Sequence, residues 1–230
     1  MENASRYAVY YAPEVGSDLA GFGASWLGWD AETGRTVPHP DGADLPLAIS
    51  ELTETPRKYG LHGTLKPPFK LSKGYTVTDL DTAISELASQ QPAFEIPHIS
   101  LHAISTFLVI TPTENSDKLA RLAENCVRNL DAFRASPSEG ELSRRRTANL
   151  SDAQEHNLMR WGYPYVLNEF RFHLTLTGRL ASEHVKPVAA HLQGVLAQTL
   201  AAPLPVREIC LFGQDIDARF HIIKRYPLTA

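Results

Sequence analysis

The chain has 230 residues, of which 43% are hydrophobic and 21% are charged, and its formal net charge is -4. These values are typical of a globular protein and exclude a disordered chain, a collagen-like repeat and a coiled-coil rod. The negative net charge argues against a protein that coats long nucleic acid by bulk charge. Two cysteines, Cys126 and Cys210, are too few for a disulfide framework and indicate buried thiols in a reducing compartment.

No stretch has the pattern of a secretory signal or of a membrane span, so we expect a cytoplasmic protein without a membrane partner. A chain of this length can form one large domain or two small lobes. We expect one two-lobed catalytic domain over 1–230, in which terminal strands can exchange between lobes. A monomer is the expected oligomeric state.

Residue patterning predicts the elements in chain order. The first half is predicted to contain a strand at 6–12, a helix at 19–29, a loop at 30–45, a strand at 61–65 that ends before Pro67 and Pro68, a helix from Thr78 or Asp79 to about Gln91, and strands at 94–104 and 106–111. The second half is predicted to contain a helix at 116–130, a polar turn-rich segment at 135–150, a short helix at 151–161, a strand at 170–176, a helix at 183–200, and strands at 206–212 and 220–226. Strands and helices do not alternate strictly, which favours an α+β fold with an antiparallel sheet.

Two of the nine histidines stand in the same tetrapeptide frame, HGTL at 62–65 and HLTL at 173–176. Fewer than about 0.1 such tetrads are expected by chance in a chain of this composition. The tetrads lie about half the chain apart, which indicates an internal duplication of one lobe.

Alternate residues of a strand share a face, so His62 points with Thr64, and His173 points with Thr175. If the two strands lie side by side, two imidazoles and two hydroxyls converge on one cleft. Such a group suits in-line attack at a phosphodiester. One histidine takes a proton from water, the other gives a proton to the leaving oxygen, and the hydroxyls hold the non-bridging oxygens. The residues do not decide which histidine is the acid.

The same parity places Lys66 on the face of His62 and Arg171 on the face of His173, provided that no bulge interrupts the strands. Two cations beside a phosphate would stabilise the charge that grows in the transition state. The alternative is that both are rim charges at strand ends.

Two further features are left open by the sequence. The run Arg144-Arg145-Arg146 is either a lid that reaches a phosphate or a solvated loop face. The second is a set of tyrosines that could include a stacking platform for a base or sugar, with core or rim packing as the alternative: Tyr7, Tyr10, Tyr11, Tyr59 and Tyr226. One of Tyr7 and Tyr11 is expected to share the cleft face of its strand.

The two tetrads resemble the signature of the 2H phosphoesterase superfamily, which includes RNA 2′,3′-cyclic phosphodiesterase/ligase-like proteins. The longer segments YGLHGTLKPPF and RWGYPYVLNEFRFHLTLTGRL resemble more narrowly a branch of phosphonate-metabolism proteins. The resemblance covers nearly the whole chain. It implies an α+β fold with pseudo-twofold duplicated antiparallel sheets, flanking helices and a central cleft. It also implies cyclic phosphodiester chemistry without a metal or other cofactor. Within that site, the histidines at 62 and 173 would be the catalytic pair and the threonines at 64 and 175 the phosphate ligands.

The leading hypothesis is metal-independent hydrolysis of a small cyclic phosphodiester, and the resemblance suggests a ribose cyclic phosphate from phosphonate breakdown. The expected partner is therefore a small phosphorylated substrate. Two alternatives stay open. One is an enzyme that opens or seals 2′,3′-cyclic phosphates at RNA ends, and the other is a non-catalytic module that binds a phosphorylated ligand.

Overall fold

The computed structural model describes residues 4–230. These residues contain eleven strands, numbered in chain order: β1 Tyr7–Tyr11, β2 Trp29–Asp30, β3 Arg35–Thr36, β4 Gly63–Phe69, β5 Phe94–Ile96, β6 Ile99–Ile104, β7 Phe107–Pro112, β8 Leu174–Thr175, β9 Leu204–Val206, β10 Glu208–Gln214 and β11 Phe220–Pro227. They also contain nine α-helices: α1 Asp18–Leu27, α2 Ile49–Leu52, α3 Glu54–Arg57, α4 Val77–Ser89, α5 Asp117–Asn129, α6 Glu139–Arg146, α7 Asp152–Trp161, α8 Ser182–Val195 and α9 Ala197–Ala201. No helix of this part of the chain is long and apolar enough to cross a bilayer.

Seven strands form one sheet in the order β11-β10-β1-β4-β8-β7-β6. Every neighbouring pair in this sheet is antiparallel. The α+β class with an antiparallel sheet and flanking helices is therefore confirmed. The strands that carry the two tetrads, β4 and β8, are neighbours in the interior of the sheet.

The helices repeat one arrangement on the two sides of the β4–β8 pair. The helix after β4, α4, contacts β10 and β11, and the helix after β8, α8, contacts β6 and β7. Each of the two paired strands, β4 and β8, is thus followed by a helix that packs on its own half of the sheet. This arrangement agrees with the internal duplication that the two tetrads indicate. The two C-terminal strands of the sheet lie in the half that contains β4, although they follow β8 in the chain. A single two-lobed domain over 1–230 stays a prediction.

The two faces of β1 pack into different hydrophobic clusters. Tyr7 and Tyr11 belong to the larger core, which the sheet forms with helices that include α4, α5 and α8. Tyr10 belongs to a smaller cluster that contains Phe212 and Phe220. We call the side of the sheet that carries Tyr10 the cleft face. The expectation that Tyr7 or Tyr11 faces the cleft is therefore wrong. Both side chains point into the larger core, and Tyr10, which lies between them on β1, points to the cleft face.

Gly63 allows a close approach between β4 and the segment that leads into β8. A Cβ atom added at this position would lie 2.3 Å from Cε2 of Phe172 and 3.2 Å from Cδ2 of Leu174. Any larger residue at position 63 would have to displace the ring of Phe172, which explains glycine at the second position of this tetrad.

Several predicted elements differ in their bounds. Strand β4 continues through Pro67 and Pro68 to Phe69, because β4 pairs with β8 only at Gly63 and is an edge on that side beyond it. The predicted strand at 170–176 shortens to Leu174–Thr175. The predicted helix at 183–200 is divided into α8 and α9 around Leu196.

Two helix starts also differ. Helix α4 begins at Val77, and its N-cap is Thr76 instead of the predicted Thr78 or Asp79. Asp79 is the N3 residue, which completes a capping box with Thr76. The polar segment at 135–150 contains a helix, α6, whose first turn is closed by a capping box between Ser138 and Glu141. The S-x-x-E pattern of Ser138 and Glu141 is present in the sequence. The polar residues around it lack an apolar stripe, so the segment was not predicted to be helical.

Candidate active site

The two tetrads lie side by side across the β4–β8 seam. Gly63 pairs with Leu174, and this register sets each histidine opposite the threonine of the other tetrad. The two histidines are thus diagonal neighbours, for which Cα atoms are separated by about 7–8 Å. All four side chains are partly exposed on the cleft face: His62, Thr64, His173 and Thr175.

Both histidines are held by the same hydrogen bond. Nδ1 of His62 donates to the carbonyl oxygen of Gly60 at 2.9 Å. Nδ1 of His173 donates to the carbonyl oxygen of Arg171 at 2.8 Å. Since a carbonyl only accepts, the proton of each neutral ring is assigned to Nδ1, and each Nε2 is left as the proton-exchanging nitrogen. In both tetrads the histidine thus bonds to the carbonyl oxygen of the residue two positions earlier in the chain. This shared hydrogen bond is a further similarity between the two strand segments.

An aromatic wall surrounds His62. Its ring centroid lies 4.2 Å from that of Tyr10, 5.3 Å from that of Tyr59 and 6.4 Å from that of Phe212. Burial among these rings lowers the pKa of His62 to about 4. The Gly60 carbonyl opposes this shift, and the charge of His173 adds to it. His62 is therefore a neutral imidazole at neutral pH.

Lys66 lies away from the four side chains, contrary to the parity prediction. A β-bulge between Val9 and Tyr10 of β1 shifts the register, so that Tyr10 pairs with Thr64 and Val9 pairs with Lys66. The bulge turns Lys66 toward the larger core. Its Nζ donates to the carbonyl of Val127 at 3.1 Å, and its side chain is 2% exposed.

Arg171 contacts the site through its backbone. Its carbonyl oxygen accepts the hydrogen bond from Nδ1 of His173, while its side chain is exposed. The contact seen is therefore a positioning contact to His173. A role of the guanidinium as a phosphate ligand stays a prediction.

The run of three arginines lies on α6 and is not a loop. The guanidinium carbon of Arg145 lies 4.3 Å from the ring centroid of Tyr163. Nη2 of Arg146 contacts Oε1 of Glu155 at 2.6 Å, which ties α6 to α7. The segment is therefore helical, and contact of its arginines with a phosphate stays a prediction. The middle arginine covers a ring, and the last arginine holds two helices together.

Tyr10, one of the tyrosines named as a candidate stacking platform, is the tyrosine of β1 whose buried ring packs on His62. Burial raises the pKa of Tyr10 well above its ordinary value, and the charges of Arg6 and Arg145 partly oppose this. Tyr7, Val9 and Tyr11 alternate with Ala8 and Tyr10 along β1, and both sets are apolar. The sequence therefore contained no signal that could choose between the two faces.

Within residues 4–230, no group of three or more histidine, cysteine, aspartate or glutamate side chains is placed to hold a metal ion. The absence of a metal requirement stays a prediction.

Comparison with known proteins places the sequence among relatives about twice its length. Residues 64–221 match the model of a family described as "Protein of unknown function (DUF1045)". The chain is 36% identical over 234 residues to a protein from Janthinobacterium sp. (strain Marseille) named ribose 1,5-bisphosphate phosphokinase PhnN, covering 99% of this chain and 52% of that protein. It is 32% identical over 224 residues to a protein of the same name from Laribacter hongkongensis (strain HLHK9), covering 95% of this chain and 51% of the relative. The chain thus spans about half the length of these curated relatives.

Solved structures with a remote likeness also cover the whole chain. A structure described as that of a phosphoesterase has a TM-score of 0.45 and 15% sequence identity, and the match covers 99% of this chain and 100% of that chain. The structure of E. coli LigT complexed with 3′-AMP has a TM-score of 0.42 and 16% identity, and the match covers 99% of this chain and 100% of that chain.

Proposed function

Because the chain belongs to the family described as "Protein of unknown function (DUF1045)", whose description names no reaction, we propose its function from the site itself. We infer that it is a phosphoesterase of the 2H type that hydrolyses a small cyclic phosphodiester in the cytoplasm. The observation that carries this proposal is the paired geometry of His62 and His173. Each ring is held at Nδ1 by a backbone carbonyl and presents Nε2 on the same face, beside the threonine of the opposite tetrad.

The proposed reaction opens the ring by attack of water at phosphorus. Nε2 of His62 takes a proton from the water, and the P–O bond to one sugar oxygen breaks. His173 then gives a proton to that leaving oxygen, and the product is a phosphomonoester beside a free hydroxyl group. The hydroxyls of Thr64 and Thr175 donate hydrogen bonds to the non-bridging oxygens, where negative charge grows. A neutral His62 supports its assignment as the base.

A ribose cyclic phosphate is the proposed substrate. The relatives that contain a matching half are named for the phosphorylation of ribose 1,5-bisphosphate. Opening a 1,2-cyclic phosphate of ribose at the 2 position leaves a ribose with a phosphate on C1. The proposed reaction would therefore supply a compound of the class that such a kinase consumes, as in the breakdown of phosphonates.

Phosphorus NMR of the purified protein in the presence of a chelator tests this proposal. The panel contains ribose 1,2-cyclic phosphate, a 2′,3′-cyclic nucleotide and a short RNA with a cyclic end. We expect wild type to open the ribose ring with the chelator present. His62→Ala and His173→Ala should each lower the turnover number by more than about 100-fold, because each removes one proton-transfer group.

His102→Ala is the matched control, because His102 is an exposed histidine on β6 that bonds to Ser100 and should keep full activity. Activity that disappears with the chelator and returns with zinc or manganese would contradict the metal-independent mechanism. Preferential turnover of the RNA would favour the RNA-end reaction. If none of the three compounds is hydrolysed, the proposed reaction is wrong. Binding of a compound without its hydrolysis would favour a ligand-binding module.

A further inference from the structure

A cavity with a cationic lining lies at the far end of β4 from the first tetrad. Its walls come from the start of β1, the end of β4, the segment at 134–137 and helix α6. Five side chains of the lining are cationic: Arg6, Lys70, Arg134, Arg144 and Arg145. The lining contains one carboxylate, that of Glu141.

Most of this positive charge has no ion-pair partner within the described part of the chain, and the hydrogen bond that Nε of Arg6 donates to Oε1 of Gln214 at 2.7 Å is to a neutral group. Of the five cations, Arg134 alone makes an ion pair among residues 4–230, with Asp131 at 2.9 Å. One oxygen of Glu141 already accepts hydrogen bonds from the backbone N–H and the hydroxyl of Ser138. The Ser138 N–H lowers the pKa of Glu141, and the charges of Lys70 and Arg144 add to this effect. Four unpaired cations around one carboxylate repel each other, and a bound anion would offset that repulsion.

Tyr10 connects this cavity to the histidine pair. Arg6, which lines the cavity, has its guanidinium carbon 5.8 Å from the ring centroid of Phe220, and that centroid lies 6.2 Å from the centroid of Tyr10. The ring of Tyr10 lies 4.2 Å from the ring of His62. The rings of Phe220 and Tyr10 thus connect the cavity to His62 on the cleft face. A ligand with two anionic groups on a small framework could reach both.

We propose that the cationic cavity binds a second phosphoryl group of the substrate, so that the substrate is a cyclic phosphodiester that also carries a phosphomonoester. This proposal rests on the proposed function, because it defines the substrate class of the same site. Guanidinium groups suit the task, since their paired N–H donors match the oxygens of a phosphate. The second phosphoryl group stays attached throughout, and the bonds that change are those of the ring opening alone.

Steady-state kinetics on a pair of substrates tests the proposal. Ribose 1,2-cyclic phosphate is compared with its 5-phosphate, using wild type and the double variant Arg144→Gln/Arg145→Gln. We expect wild type to show a KM at least about tenfold lower for the 5-phosphate, and the double variant to lose that preference. The control is Arg146→Gln, because Arg146 stands on the same helix but bonds to Glu155 outside the cavity and should leave the preference unchanged.

Equal KM values for the two substrates in wild type would overturn the proposal, and so would a preference that survives in the double variant. Preferential turnover of a short RNA with a cyclic end over both sugars would also overturn it, in favour of a polynucleotide.

A binding measurement separates failure of this proposal from failure of the proposed function. If wild type opens neither ester, calorimetry with ribose 5-phosphate still reports on the cavity. Binding at least tenfold weaker in the double variant than in Arg146→Gln would support the phosphoryl site even though the reaction is wrong. Equal binding by the two variants, or no binding by wild type, would overturn the phosphoryl site.

Discussion

At the scale of single residues, the environment of His62 decides its protonation. Two histidines in the same His-x-Thr-Leu frame would have the same ordinary pKa in an unfolded chain. The fold sets one of them among Tyr10, Tyr59 and Phe212, and burial there lowers its pKa to about 4. The aromatic wall therefore supplies the asymmetry that acid–base catalysis by a duplicated site requires.

This asymmetry predicts the acid side of the pH–activity profile. A general base must be deprotonated, so kcat/KM should fall as the pH decreases through the pKa of His62, near 4. Tyr59→Ala exposes the imidazole of His62 to water. The pH at which kcat/KM falls on the acid side should therefore rise toward the ordinary histidine pKa of about 6.5. Tyr75→Ala, at an exposed tyrosine that packs on Phe133, should leave the limb in place. An acid limb that stays at the same pH in Tyr59→Ala would contradict the assignment of the base.

Lys66 offers a second test at this scale, because the structure places it outside the cleft. Burial lowers the pKa of its amine to about 8, and Asp131 partly opposes this. Lys66→Met should keep kcat/KM within about twofold of wild type, since Asp131 retains Arg134 and Arg160 as partners. A tenfold loss of kcat/KM in a variant that folds as wild type would show that Lys66 acts at the site after all.

The same variant has a stability signature. The folded pKa of Lys66, about 8, is below the unfolded value of 10.5, so the unfolded chain binds more protons between these pH values. Wild type should therefore gain stability relative to Lys66→Met as the pH rises from 8 to 10.5, by up to about 3 kcal/mol. Urea unfolding of both proteins at the two pH values measures this difference.

At the scale of secondary structure, helix α6 places the cationic side chains of the cavity. Its first turn depends on the capping box in which Ser138 and Glu141 exchange hydrogen bonds. Its last turn carries Arg145 over Tyr163 and Arg146 on Glu155. A helix of eight residues is too short to be stable alone, so its cap and its tertiary contacts hold it.

Ser138→Ala is therefore expected to loosen α6. Loss of this cap costs about 1 kcal/mol, which should speed amide exchange over 139–146 by about fivefold. Hydrogen exchange followed by mass spectrometry measures the change. Thr76→Ala removes the corresponding cap of α4 and should leave exchange in α6 unchanged. Exchange in α6 that does not respond to Ser138→Ala would show that the contacts of its last turn hold the helix without the cap.

At the scale of the whole molecule, the path of the chain links the two halves of the sheet. Strands β10 and β11 come from the end of the chain, yet they complete the half that contains β1 and β4. The other half is joined through the β4–β8 pair and is formed by residues between them in sequence. The half that contains β1 and β4 is therefore not a continuous segment, so we propose that the two halves fold as one unit.

A single cooperative unfolding transition is the expected consequence. The three tryptophans report on different clusters, since Trp26 lies in the larger core, Trp29 in the cluster with Tyr10, and Trp161 beside Val127 and Val166. Urea transitions of variants that each keep one tryptophan should coincide with each other and with far-ultraviolet circular dichroism. Transitions that separate between Trp29 and Trp161 would contradict one cooperative domain.

The sequence by itself determined the class of the fold and supplied the candidate residues of the proposed site. Repetition of His-x-Thr-Leu, strand parity and the mixed element order are local properties, and they were enough to expect an antiparallel α+β sheet with His62 and His173 on one face. These features depend on the two-residue period of a strand, which holds over the short tetrads themselves.

The tertiary structure alone decided the rest, because the remaining choices are set by contacts between distant segments. The bulge in the β1–β4 pair turned Lys66 into the core, and the packing of β1 chose Tyr10 rather than Tyr7 or Tyr11 for the cleft. Burial among residues from β1, β10 and the segment before β4 made His62 neutral. The cationic cavity joins side chains from 6 to 145, so no window of the sequence could show that they share one wall.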